Sequence, residues 1–135
     1  MAKQSPLFLD EVDAGQPALN YAVALQQAAS SVGFDWSDIT GIIDKIHEET
    51  DEVTAELAGA DPTRIQDEIG DLLFAITNLA RHLQIDPQRA LQQTNQKFRQ
   101  RFAFIEMQLQ QQGKTLQDAT LMEMDELWEA AKHQR

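Results

Sequence analysis

Two short stretches of this chain place paired carboxylates at helical spacing, Glu49 with Glu52 and Glu68 with Asp71. Residues three apart on a helix project from nearly the same face, so each pair makes an oxygen clamp one turn long. Their setting is what marks them. Ile42, Ile46 and Val53 step along one helix face, and the position that completes the steps is Glu49. Ile65, Leu72, Ile76 and Leu79 repeat the pattern, with Glu68 at the matching place and Asp71 three residues on. A buried, unpaired carboxylate is costly, and four facing one another also repel, so the arrangement makes sense only when protons or a cation fill it. A hard divalent ion is the best filler. Mg²⁺, with Mn²⁺ as a substitute, takes oxygen ligands and retains waters beside substrate phosphates.

Around these four lie other polar groups. Glu48 is rotated about 100° from Glu49 and reaches the rim of the same face. It is a candidate general base, or else an exposed Glu paired to Lys45 one turn earlier. Asn78 lies two turns beyond Asp71 and is placed to orient a ligand or a carboxylate, with His82 further along the same line. His47 and His82 read as structural or supporting residues.

The elements that must position these residues are helices. Pro17 opens a first helix that runs to Val32 through Leu19, Ala22, Val23 and Ala29, and Gly33 ends it. Asp35 is the expected cap of a second helix that continues to Gly59. After the connector at Ala60 to Thr63, a third helix with a strong apolar stripe is expected to return antiparallel to the second. Asp86-Pro87 starts a long fourth helix that ends at Gly113, and Leu121, Met124, Leu127 and Trp128 mark a shorter fifth. The expectation is an all-α bundle of about five helices over residues 17–135, preceded by a flexible arm at 1–16.

Composition narrows the function classes. The 135 residues suit one domain, and 22 acidic against 11 basic residues give a net charge of -11, which disfavours nucleic acid and anionic membrane surfaces as partners. The chain has no cysteine, so disulfides and thiolate metal sites are excluded. No signal-peptide core or long apolar span is evident, and a cytoplasmic location is expected.

The stretch Glu48-Glu49-Thr50-Asp51-Glu52 followed by Glu68-Ile69-Gly70-Asp71 resembles the E-E-x-x-E then E-x-x-D signature of MazG nucleotide pyrophosphohydrolases. Gly33-Phe34-Asp35-Trp36, Gly70 to Ala75, Asn78 to Leu83, Asn95 to Phe98 with Arg101-Phe102, and Met124 to Trp128 are similar to the same family. The likeness runs from about Ala18 to Lys132 and is greatest to the second, catalytic domain of two-domain members; the first sixteen residues depart from it.

The resemblance implies a dimerising helical bundle, with a tetramer as the alternative assembly, and Mg²⁺-dependent hydrolysis of a nucleoside triphosphate to monophosphate and pyrophosphate. It implies Glu49, Glu52, Glu68 and Asp71 as metal ligands, Lys45, Lys97 and Arg101 as contacts to the nucleotide or its phosphates, and Trp128 near the base. Gln100 stands where many relatives have a basic residue. On this reading the metal polarises the phosphate oxygens and activates the water that attacks the α-phosphorus, while Lys97 and Arg101 offset charge on the leaving pyrophosphate. An exposed basic face and an aromatic core are the plain alternatives for Lys97, Arg101 and Trp128.

A di-iron bundle is disfavoured because no His follows a Glu by three residues, and a DNA-binding helix-turn-helix because the basic residues do not cluster. The reading from another class that remains is a non-catalytic helical scaffold with an acidic, metal-binding face.

Overall fold

The computed structural model describes residues 7–134. Its helices are α1 (Ala18–Ser31), α2 (Ile39–Leu57), α3 (Pro62–His82), α4 (Pro87–Gln111) and α5 (Leu121–Ala131), and no strand occurs among the described residues. Of the expected arm, residues 1–6 lie outside the described part, and Phe8–Glu11 form a short 3₁₀ turn that contacts α1.

The helix boundaries follow from local chemistry. Gly33, at φ 92°, takes the left-handed conformation that closes α1. Helix α2 opens at Ile39, and Asp38 accepts from the Gly41 backbone N–H at 3.1 Å. Asp35, expected as this cap, is engaged elsewhere: its carboxylate is taken by α3. Asp61 accepts from the Thr63 N–H, and Pro62 occupies the first turn of α3, where its missing N–H costs nothing. Thr120 and Glu123 cap α5 reciprocally, the side chain of each taking a backbone N–H of the other. Two helix ends lack a glycine: Ala60 at φ 53° and Gln84 at φ 59° hold the left-handed turn with a Cβ present.

The chain divides into two compact units, residues 1–88 and 89–135. In the first, α3 packs on both α2 and α1. The connector 58–61 reverses the chain, and the contacts run in opposite order along the two helices. Asp35, just before α2, meets Arg81 at the end of α3, whereas Glu49 and Glu52, further along α2, meet residues of early α3. The pair is therefore antiparallel, as the short connector between two amphipathic stretches predicts. Ile42 and Ala75 are the buried apolar side chains of this unit among the described residues. In the second unit Ile105, Leu109 and Ala131 are buried, and Phe98 packs on both Phe102 and Trp128.

Candidate functional site

The α2–α3 pairing brings the predicted carboxylates together. Glu49 is 5% exposed, on the stripe where an apolar residue would otherwise sit. Carboxylate oxygens of Glu49, Glu68 and Asp71 all lie within 4.8 Å of one another. Glu52, one turn after Glu49, lies against Glu68. The contact with the Glu52 carboxylate, with partial burial and the charges of Asp71 and Glu49, pushes Glu68 up to about 7. Loss of hydration, then the charges of Asp67 and Glu49, raises Asp71 as well, with Lys45 opposing.

Among the described residues one cation, Lys45, answers this cluster. Lys45 Nζ lies 3.0 Å from Glu49 Oε1 and 3.5 Å from Glu48 Oε1, and the Glu49 contact foremost raises the lysine. Glu48 is exposed and adopts the Lys45 pairing that its spacing allowed. Even so, Glu49 Oε2 and Glu68 Oε2 are buried with no hydrogen-bond partner. A buried acceptor left unpaired is a standing cost to the fold, and here two occur side by side among like charges. An oxygen-only donor set with unsatisfied lone pairs fits a hard divalent cation such as Mg²⁺.

A cavity of about 880 Å³ adjoins the cluster, lined by Glu49, Asp71 and Lys45 on its polar side. Phe34, Trp36, Leu25 and Phe74 supply apolar walls. The loop between α1 and α2 is fastened by Asp35. Its carboxylate accepts from Arg81 at 2.6 Å, Ser30 Oγ at 2.7 Å and the Trp36 backbone N–H at 2.7 Å, and lies 2.8 Å from His82 Nε2. The Arg81 guanidinium, ahead of the other donors, holds Asp35 well below the usual carboxylate range. Arg81 also donates twice to Asn78 Oδ1, at 2.8 and 3.1 Å, which sets the Asn78 amide in the cavity wall. Trp36 lies against Gly41, where an added Cβ would come within 3.0 Å of the indole. Gly41, Lys45 and Glu49 follow at successive turns of α2, so the indole, the ammonium and the carboxylate share one face.

The remaining predicted residues lie in the second unit. Arg101 stacks its guanidinium over Trp128 at 5.3 Å, and Trp128 tilts against Phe98 at 5.5 Å. Lys97 is exposed on α4 one turn before Arg101. Gln26, Asp35 and Arg81 also line the cavity, although the sequence gives Asp35 only as a helix cap, Arg81 only within a family-like segment and Gln26 no role. For Gln26 a signal existed: it falls on the apolar face of α1 with Leu19, Ala22 and Ala29, as Glu49 does on α2.

Fold and site together define an all-α domain built around a carboxylate cluster with the donor chemistry of a divalent-metal centre. Residues 37–103 match the MazG nucleotide pyrophosphohydrolase domain family, and this chain carries a domain of that family. It is 40% identical over 130 residues to the nucleoside triphosphate pyrophosphohydrolase/pyrophosphatase MazG of Thermotoga maritima, covering 96% of this chain and 50% of that one. It is likewise 40% identical over 128 residues to the nucleoside triphosphate pyrophosphohydrolase of Escherichia coli K12, 93% of this chain and 49% of that one. The chain thus spans about half the length of the curated relatives it matches.

Proposed function

We propose that this chain hydrolyses nucleoside triphosphates to the monophosphate and pyrophosphate, with Glu49, Glu52, Glu68 and Asp71 holding Mg²⁺. The observation that carries the reading is the pair of buried, unpartnered oxygens on Glu49 and Glu68, which a divalent cation satisfies and a solvated acidic face does not leave. A scaffold would have no use for that cost.

When bound, the metal supplies Lewis-acid polarisation of the phosphate oxygens. The chain's own residues do the rest. Lys45, already raised by its acidic neighbours, stays charged and draws the anionic tail of the nucleotide toward the cluster. Glu48, exposed beside Lys45, accepts the proton of the attacking water. The apolar walls exclude bulk water, and Asn78 hydrogen-bonds the substrate. In the second unit Arg101 packs over Trp128, and the family resemblance assigns phosphate contacts to Lys97 and Arg101. Ile69, Leu73 and Ile76 stay 42%, 51% and 45% exposed on α3, a stripe of apolar surface that a second copy of the chain would cover, which supports a homodimer. No helix among the described residues is long and apolar enough to cross a membrane.

The test is pyrophosphate release from a panel of ribo- and deoxynucleoside triphosphates, with and without Mg²⁺. Metal-dependent release by the wild type, lost in Glu52→Gln and Asp71→Asn, supports the reading. A folded, Mg²⁺-supplied protein that releases none returns the scaffold as the better account.

A further inference from the structure

Gln26 is 7% exposed and lies in the wall of the cavity beside the carboxylate cluster. Its amide is held in one orientation. Nε2 donates to the Phe74 carbonyl at 3.0 Å and to Thr77 Oγ1 at 3.2 Å, while the Thr77 hydroxyl spends its proton on the same carbonyl at 2.7 Å. Turning the amide over would set Gln26 Oε1 against the Phe74 carbonyl oxygen, acceptor on acceptor. Oε1 is thus fixed as the free end, and it is buried with no hydrogen-bond partner. In a wall otherwise formed by Leu25, Ala29 and Phe74, one aligned acceptor is a feature that a partner molecule must satisfy or suffer.

The second amide of the cavity complements the first. Asn78 Oδ1 is occupied twice by Arg81, so its donor end, Nδ2, is the end not engaged there. Gln26 and Asn78 both line the cavity among apolar and aromatic side chains, the first with its acceptor end unpaired and the second with its donor end not taken by Arg81, and the volume of about 880 Å³ admits a nucleotide-sized molecule. Flat heterocycles that carry an N–H next to an acceptor atom match this pair, and the neighbouring carboxylate cluster suits the metal-bound end of the same molecule.

Resting on the catalytic reading above, we propose that Gln26 is the residue that reads the nucleobase. Its Oε1 accepts from an N–H on the base edge, and Asn78 Nδ2 donates to the adjacent acceptor atom of that edge. A polar wall of this kind rejects a base lacking the donor far more strongly than an apolar pocket rejects a small change of size.

The experiment compares kcat/KM for pyrophosphate release, with the full chain and Mg²⁺, between natural nucleotides and analogues stripped of the donor. ATP is set against purine riboside triphosphate, CTP against its 2-pyrimidinone analogue, and UTP and GTP against their N3- and N1-methylated forms. The natural nucleotide hydrolysed fastest defines the pair that is read. The wild type is expected to prefer the intact base by about tenfold or more. Gln26→Leu should bring that ratio close to one, whereas Thr77→Val, which loosens the Nε2 anchor and leaves Oε1 in place, should keep it. An equal kcat/KM for both members of the pair in the wild type overturns the proposal, and so does an undiminished preference in Gln26→Leu. The wild-type comparison decides even where Gln26→Leu does not fold. Absence of release from every nucleotide overturns the catalytic reading itself, a result distinct from release without discrimination.

Discussion

Two acidic sites border the same antiparallel helix pair, one in the loop before α2 and one between α2 and α3, and they are opposites. At Asp35 the carboxylate is met by Arg81, His82, Ser30 and a backbone N–H, and its acidity is strengthened accordingly. At the Glu49–Glu68 cluster one lysine serves several carboxylates, two buried oxygens have no partner, and the acidity of Glu68 is weakened. A saturated carboxylate holds structure together, whereas an unsaturated one is maintained against its own cost and implies something that arrives from outside. Counting acidic residues would have placed the two sites in one category; accounting for their hydrogen bonds separates them.

The sharpest way to break this contrast is to neutralise one member of each site. Glu49→Gln is expected to lower kcat/KM for pyrophosphate release by about 10²–10³-fold while leaving the metal-free melting temperature unchanged or raised, since it relieves repulsion. Asp35→Asn should do the reverse, lowering stability by about 1–3 kcal/mol in denaturant titrations with a smaller effect on rate. The sign with pH follows from the lowered Asp35 value. The folded carboxylate is more acidic than the unfolded one, so its contribution is complete above the ordinary Asp range and disappears as pH falls through and below it. The stability gap between wild type and Asp35→Asn should accordingly close on acidification, and a gap constant down to acid pH would remove Asp35 from its structural role.

The next effect is ligand linkage. Mg²⁺ at ten times its dissociation constant should stabilise the wild type by about 1.4 kcal/mol in the absence of nucleotide, and Glu49→Gln by much less. Equal shifts in the two would place the cation elsewhere. The smallest effect concerns the helix ends: Ala60→Gly, which removes a Cβ from a left-handed turn, should gain up to about 1 kcal/mol by thermal melting and leave both sites untouched.

Periodicity located the carboxylates because a charge on an apolar stripe is a contradiction that can be seen in one dimension. The same logic reached Asn78, whose spacing from Asp71 follows the helix repeat. It missed Gln26, on an apolar face in a glutamine-rich chain, because an uncharged amide there is a milder contradiction than a carboxylate. Asp35 was misassigned for a different reason. An Asp just before a helical pattern looks like a cap, but the structure gives that role to Asp38. What decides between them is an ion pair to Arg81 across the antiparallel pair, between residues whose separation along the chain carries no local signature. Antiparallel packing of α2 and α3 was legible from a short connector between two amphipathic stretches, whereas the closure of a cavity by the α1–α2 loop was not, because it depends on that same distant contact.

Gly41 has a consequence of scale. The indole of Trp36 rests where a side chain on α2 would otherwise begin, and the clearance there is tighter than a methyl group tolerates without displacement. The seat of one aromatic side chain in the cavity wall therefore depends on hydrogen rather than carbon at Gly41. Substitutions graded from glycine through alanine to serine would act as shims, shifting an aromatic wall by tenths of an ångström without altering a charge or a hydrogen-bonding group.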